Sequence, residues 1–197
     1  MSFWSTKKEA PKLKRDGTLY ANATFQDILH MWVLQKQAEF SGRGALSFKG
    51  PRLYSYQAHI ATVYPRQAVV LISPYNWSQT TSGHCSWASH GARKASYTPY
   101  HYGPTREVMQ KRAIEQVITA QERIVSGHKS NCYYRYKYLQ DKIIEINEMF
   151  AKFGEKPLPP LCDLDTGMSF KLAFHERYKL VKQEALVRKL TGRSNYL

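Results

Sequence analysis

The chain is poor in cysteine, and its cysteines lie far apart. Only Cys85, Cys132 and Cys162 occur among 197 residues, and no two of them form a CxxC pair. This spacing argues against a disulfide framework and against a tetrahedral cysteine cluster for zinc. We therefore expect the thiols to stay reduced, as they do in a reducing compartment.

Long apolar segments are absent too. The longest apolar runs are VVLI at 69–72 and ILHMWVL at 28–34, which His30 interrupts. Both are far shorter than the roughly 20 residues that cross a bilayer. The start, MSFWSTKKEAPKLKRDG, is basic and lacks the apolar stretch of a secretory signal. We expect a soluble, cytoplasmic protein without membrane contact.

Common catalytic signatures are missing as well. The sequence has no phosphate-binding loop, dinucleotide fingerprint, HExxH or GxSxG motif. The best metal-ligand candidates are His84, Cys85, His90 and His101. However, His84 and His90 are six residues apart on a predicted helix and point to different sides of it. The sequence therefore predicts no metal site and no cofactor.

Acidic residues are scarce relative to basic ones. The chain has 29 Lys and Arg against 15 Asp and Glu, a formal net charge of +14 and a pI near 9.7. The excess is +3 over 1–20, +5 over 21–104, +3 over 105–154 and +3 over 155–197. A surface that is positive throughout favours a polyanionic partner, above all nucleic acid. The alternative is a basic protein that its charge merely keeps soluble.

Hydrophobic patterning divides the chain into three parts. Residues 1–20 are typical of a basic flexible arm. Residues 21–103 are typical of an α+β domain, with a helix from an N-cap at Thr24 to about Phe40 and then four mainly antiparallel strands. A second helix follows 75–77. It carries a small-residue face able to lie close on a sheet, formed by Cys85, Ala88, Ala92 and Ala95.

Residues 104–197 are expected to be helical. A hairpin is predicted over 105–153, and its second helix has a seam of apolar residues at spacings of three and four: Tyr136, Leu139, Ile143, Ile146, Phe150 and Phe153. A proline-rich connector over 154–168 and a C-terminal helix over 169–191 follow. The predicted fold class is α+β: a small antiparallel sheet of about four strands flanked by helices, then a long helical hairpin and a C-terminal helix. The hairpin could also serve self-association.

Two histidines are candidates for catalysis. His59 lies on a predicted strand and His84 in the first turn of the following helix, where the helix dipole lowers the pKa of an imidazole. Two imidazoles near Tyr54, Tyr56 and a cation could act as general acid and base on an RNA phosphodiester without a metal. The alternative is that His59 is a hydrogen-bonded core residue and that His84 is a partner of the helix cap.

Aromatic and basic residues are interleaved over the strand region and again in the hairpin. Tyrosine and tryptophan rings can stack on unpaired bases beside cations that neutralise phosphates. The candidate nucleic-acid-binding residues are Lys49, Arg52, Tyr54, Tyr56, Arg66, Trp77, Trp87, Arg93, Lys94, Arg135 and Lys137. Because tyrosines are also ordinary strand and core residues, some of these are expected to be structural.

Two segments, YSYQAHIATVY at 54–64 and YNWSQTTSGH at 75–84, together resemble an uncharacterised domain family of bacteriophages and phage-derived genomes. That family has a strand with Tyr-Ser-Tyr, a histidine and an alanine, then an apolar strand, a serine, two threonines and a histidine. The matching positions here are Tyr54, Ser55, Tyr56, His59, Ala61, Ser78, Thr80, Thr81 and His84, with Gln79 inserted after the serine. The resemblance covers at most 40–95. It implies a phage origin, in the host cytoplasm or the virion, and no settled activity.

Three hypotheses about function follow. The first is a phage-encoded, basic nucleic-acid-binding protein that acts on DNA or RNA by phosphate neutralisation and aromatic contacts, with no cofactor. The second is a virion or assembly protein that contacts packaged DNA or phage structural proteins. The third is a metal-independent ribonuclease that uses His59 and His84.

Overall fold

The computed structural model describes residues 12–42, 44–74, 78–126 and 132–158. Within them, four α-helices and six strands occur in the following order: α1 (Phe25–Val33), β1 (Glu39–Ser41), β2 (Leu46–Lys49), β3 (Arg52–Ser55), β4 (Ala58–Tyr64), β5 (Val69–Ile72), α2 (Gln79–Lys94), β6 (Thr98–Tyr100), α3 (Arg106–Ser126) and α4 (Cys132–Lys152). The chain divides into two compact units, Met1–Arg112 and Ala113–Leu197. None of these helices combines the length and apolar character needed to cross a membrane.

The strands form one sheet in the order β1-β2-β3-β4-β5-β6, so the α+β class is confirmed. The predicted number of about four strands was too low, because the described sheet has six strands, and the mainly antiparallel pairing is interrupted by one parallel pair. Strands β1 to β5 pair antiparallel, whereas β6 pairs parallel to β5. The two strands that the pattern missed, β1 and β6, have three residues each, too few to show an alternating period. Helix α2 connects β5 to β6, as parallel pairing requires a crossover.

Helix α1 begins where the sequence predicts it and ends earlier. Thr24 accepts a hydrogen bond from the backbone N–H of Asp27, and the Asp27 side chain accepts one from the Thr24 backbone, which completes a capping box. The helix ends at Val33 instead of continuing to Phe40. Gln35 has a left-handed φ of 52° there, so its turn closes the helix without the glycine that usually marks such an end.

Helices α1 and α2 cover one face of the sheet and build the core of the first unit. Trp32 is fully buried, and its Nε1 donates to the carbonyl oxygen of Pro51 at 2.9 Å. The small-residue face of α2 lies in this core, with Ala88 and Ala92 at 0% exposure and Cys85 at 7%. Small side chains let the helix backbone approach the sheet closely. All four residues of β5 are buried, as the continuous run VVLI indicates.

Residues 12–20, which the sequence assigned to a flexible arm, form a tight turn. Leu13 and Leu19 make an antiparallel bridge, and Asp16 Oδ1 accepts from the backbone N–H of Thr18 at 2.9 Å. Leu19 is 2% exposed and belongs to the core. The remaining arm residues, 1–11, lie outside the described residues.

Helix α4 and most of α3 belong to the second unit, and the two helices occupy most of the span predicted as a hairpin. The predicted seam residues are all buried: Tyr136, Leu139, Ile143, Ile146 and Phe150 on α4, and Phe153 just after it. Val117 and Ala120 of α3 pack against the first part of this seam. Asn147 then holds the start of the connector, because its side chain accepts from the N–H of Leu158 at 2.7 Å. The connector from 159 onward and the predicted C-terminal helix lie outside the described residues.

Candidate nucleic-acid interface

The sheet face opposite to α1 and α2 carries several of the predicted binding residues. Side chains alternate along β3, so Leu53 lies in the core while Arg52 and Tyr54 point to the other face. Lys49 of β2 lies directly across from Arg52. Lys49 and Arg52 are exposed, and Tyr54 is half-buried. These three residues and their neighbours Tyr56 and His59 form what we call the basic-aromatic surface.

A β-bulge brings His59 to this surface. Leu53 pairs with Ala61, whereas the next residue, Tyr54, pairs with His59, so Ile60 is an extra residue in β4. The ring centroids of Tyr54 and His59 are 5.3 Å apart, and the ring planes are tilted by 36°. The bulge therefore places two neighbouring flat rings, both half-buried, on the sheet face opposite to α1 and α2.

Hydrogen bonds fix the tautomer of His59. Its Nε2 lies 2.8 Å from Thr62 Oγ1 and 3.1 Å from the carbonyl oxygen of Ala61. Because a carbonyl can only accept, and the Thr62 hydroxyl donates to the Pro104 carbonyl, Nε2 carries the hydrogen. Burial lowers the pKa of His59; the bond to Ala61 partly offsets this effect, and Arg52 contributes a smaller further decrease. The ring is thus neutral near pH 7 and offers a stacking face rather than a charge.

Carboxylates are missing from the strands that build this surface. From 40 to 106 the sequence has no Asp or Glu but seven Lys and Arg. Burial raises the pKa of Tyr64, and a backbone hydrogen bond to Arg106 and the charges of Arg106 and Arg52 partly offset this effect, whereas Glu107 adds to it. Cations therefore outnumber carboxylates around this tyrosine. Arg106 is a candidate that sequence analysis missed, and the acid-free stretch after Glu39 is the signal that points to it.

A cleft of about 590 Å³ opens beside Tyr54 at the β1 edge of the sheet. Lys14 and Lys49 line it together with Tyr54 and one carboxylate, that of Glu39. Gln37, in its wall, accepts a hydrogen bond from the backbone N–H of Leu19 at 3.0 Å and so ties the 12–20 turn to the sheet. Lys14 was missed because it is distant from Tyr54 in sequence and was assigned to the arm.

Tyr56 occupies the tip of the β3–β4 hairpin in a conformation that bulky residues rarely adopt. Its φ is 55°, in the left-handed region, which costs of the order of 1–3 kcal/mol for a residue other than glycine. Its backbone N–H donates to the carbonyl of Ala45 at 2.6 Å and holds the turn. The side chain is 64% exposed. An exposed ring held on a strained turn is a candidate contact for a partner molecule.

His84 belongs to a buried hydrogen-bonded cluster that joins α2 to β3. Its Nδ1 is 2.7 Å from Ser55 Oγ, which is 3.2 Å from Thr81 Oγ1. Ser78, the N-cap of α2, donates to Thr81 Oγ1. His84 and Ser55 are each 1% exposed, and burial lowers the pKa of His84. Four positions of the phage-family resemblance thus meet in space, in a structural role.

The structure does not bring His59 and His84 together. Tyr54 and Ser55 are successive residues of β3 and point to opposite faces of the sheet. His59 packs on Tyr54, whereas His84 bonds to Ser55. The sheet therefore separates the two imidazoles, and this arrangement offers no paired acid and base to one phosphodiester.

The other predicted binding residues of the first unit lie elsewhere. Trp87 is half-buried and packs against Phe25 and His84, at ring-centroid distances of 5.1 and 5.5 Å, so its ring is part of the core packing. Arg66 is exposed in the 3₁₀ turn between β4 and β5. Arg93 and Lys94 are exposed in the last turn of α2.

In the second unit, Arg135 donates from Nη1 to the carbonyl oxygen of Arg123 at 2.6 Å, and Lys137 is exposed on α4. Trp77 lies outside the described residues. The basic-aromatic surface therefore gathers five of the residues singled out from the sequence, and the rest are dispersed.

Comparison of the chain with protein-family models, with curated proteins and with solved structures found no match. The fold and the surface define an α+β protein with a mixed sheet and a basic, aromatic sheet face.

Proposed function

We propose that the protein binds nucleic acid, with a preference for single strands, through the basic-aromatic surface. The observation that carries the proposal is the half-buried Tyr54–His59 ring pair on the sheet face opposite to α1 and α2, with Lys49 and Arg52 at one end of it. It lies in a stretch of the chain without carboxylates.

Unpaired bases suit this arrangement because they expose their flat faces. Stacking of one base on an aromatic side chain contributes about 1–3 kcal/mol and requires no particular base. The neutral ring of His59 lies beside Tyr54, and Tyr56 projects at the hairpin tip, so successive rings follow β3. Duplexes hide their base faces, so they would keep only the contacts to phosphate.

The cations supply affinity that does not depend on sequence. Lys49 has Arg52 across from it on β3 and Glu39 across from it on β1, so the three side chains carry a net positive charge. Lys14 extends the positive surface along the edge cleft. Phosphates bound by such residues release counterions, so affinity falls steeply as salt rises.

The first experiment measures binding of the full chain to labelled single-stranded DNA, duplex DNA and RNA across a salt series in EDTA, followed by a denaturing gel. We expect salt-dependent binding, tighter for single strands than for duplex, with all strands intact. Binding that ignores salt, or no binding at all, contradicts the proposal. Cut RNA would instead support a ribonuclease.

A second experiment tests the surface itself. Tyr56→Ser should weaken single-strand binding roughly 5- to 150-fold, the equivalent of one lost stacking contact. Tyr138→Ser is the matched control, since Tyr138 is 57% exposed on α4 and lies outside the surface. Equal loss in both variants would show that the binding does not use the sheet face.

A further inference from the structure

A second site is suggested by the parallel pair of strands β5 and β6. In the β5–α2–β6 unit, Leu71 is level with Tyr100, so both strands end at the same edge of the sheet. Ser73 follows β5 there and His101 follows β6. The residues that follow the two strands therefore lie near each other at this edge.

A cleft of about 380 Å³ lies at this edge, between the strand ends and one side of α2. Four hydroxyl groups line it, those of Ser73, Ser82, Ser86 and Ser89. Ser73 and Ser89 are 3% and 5% exposed, so these polar side chains are built into the floor rather than scattered on the surface. The volume falls within the range of small-molecule sites.

The charged and titratable groups of this cleft are basic. Arg93, His90 and His101 line it, and no carboxylate is among its described lining residues. His101 Nε2 lies 3.2 Å from Ser89 Oγ, which holds the imidazole over the hydroxyl-rich floor. Burial raises the pKa of the Cys85 thiol to about 11, so this wall is neutral. Hydroxyl, imidazole and guanidinium groups are all types that can donate hydrogen bonds, and the positive charge of Arg93 favours an anion.

We propose that this cleft binds a phosphoryl group, held by the Arg93 guanidinium, the His101 imidazole and the serine hydroxyls. A phosphoryl group presents only acceptor oxygens and at least one negative charge, and guanidinium groups bind such oxygens in pairs. The remaining volume can hold the body of a small phosphate ester or one residue of a nucleic-acid backbone. This site is separate from the basic-aromatic surface and does not rest on the proposed function.

The test uses the full chain with labelled histidine rings, titrated with inorganic phosphate while sodium chloride keeps the ionic strength constant. We expect saturable shifts of the His90 and His101 ring signals, with the His30 ring on α1 as an unaffected internal reference. Dimethyl phosphate is titrated in parallel. Binding of both anions would indicate a backbone phosphodiester, and binding of inorganic phosphate alone would indicate a phosphate monoester.

Variants decide whether the shifts report this cleft. Arg93→Gln should weaken phosphate binding about ten-fold or more, because a hydrogen bond to a charged group is lost, and Ser89→Ala should weaken it less. Arg15→Gln, in the turn at the opposite edge of the sheet, is the matched control and should leave binding unchanged. Absence of saturable shifts overturns the proposal. So does a phosphate affinity equal to that of the unmodified chain in both the Arg93→Gln and the Ser89→Ala variant, provided that the variants retain the native spectrum. The Lys49→Gln/Arg52→Gln variant should keep phosphate binding, which separates the two proposals.

Discussion

The hydrogen bond between Ser55 and His84 allows a quantitative prediction about stability. The two side chains are each 1% exposed, and Ser55 Oγ is 2.7 Å from Nδ1 of the imidazole. The other ring nitrogen, Nε2, has no hydrogen-bond partner within the described part of the chain. Ser55→Ala would therefore leave both nitrogens of a buried imidazole unpaired. An unsatisfied buried polar group costs about 1–3 kcal/mol, so we expect the free energy of unfolding to fall by about 2 kcal/mol.

Urea unfolding, followed by tryptophan fluorescence, measures this loss. Fluorescence suits the purpose because Trp32 and Trp87 both lie in the core cluster of the first unit or pack against it. Ser47→Ala is the control, since Ser47 is on β2, half-buried and on the sheet face away from α2, and it should change stability by less than about 0.5 kcal/mol. If Ser55→Ala costs no more than Ser47→Ala, the buried cluster does not join α2 to the sheet as described.

Three further predictions concern protonation, thiol reactivity and helix capping. Burial lowers the pKa values of His84 and His59 below the usual 6.5 in the folded state, so on acidification the unfolded chain takes up protons first. The free energy of unfolding should therefore fall from pH 7 to pH 5. In the His84→Asn variant, the urea midpoint should depend less on pH. A profile equally steep in that variant would contradict the assignment. Burial raises the pKa of the Cys85 thiol to about 11. In a variant whose other cysteines are serine, this thiol should react with a disulfide reagent far more slowly in the native than in the unfolded protein. Similar rates would refute its burial. Thr24→Ala should lower the free energy of unfolding, measured by urea unfolding, by about 1 kcal/mol because the capping box is lost. Thr80→Ala, at an exposed position, is the control. An equal loss of stability in both variants would argue against capping.

Features set by local sequence could be predicted. The N-cap of α1, the small-residue face of α2 and the buried strand β5 all follow from spacing within one element. The end of α1 could not, because Gln35 adopts a left-handed conformation that its residue type does not signal. The same holds for Ser96 after α2, with φ 65°.

The hydrophobic pattern of the sequence could not predict features that depend on pairing between distant segments. Strands β1 and β6 are stabilised by their neighbours in the sheet, not by an alternation of their own. The bulge at Ile60 decides which face His59 occupies, and a one-residue change of register moves a side chain to the opposite face. This is why the sequence could name both histidines as candidates but could not show that the sheet separates them.

The salt dependence of single-strand binding tests the central claim most directly. Each phosphate contact to single-stranded DNA contributes roughly 0.7 to the slope of log affinity against log salt. The Lys49→Gln/Arg52→Gln variant should therefore show a slope smaller by about 1.4 than the unmodified chain. Lys156→Gln, an exposed change in the second unit, should leave the slope as it is. An unchanged slope in the double variant would contradict binding through the basic-aromatic surface.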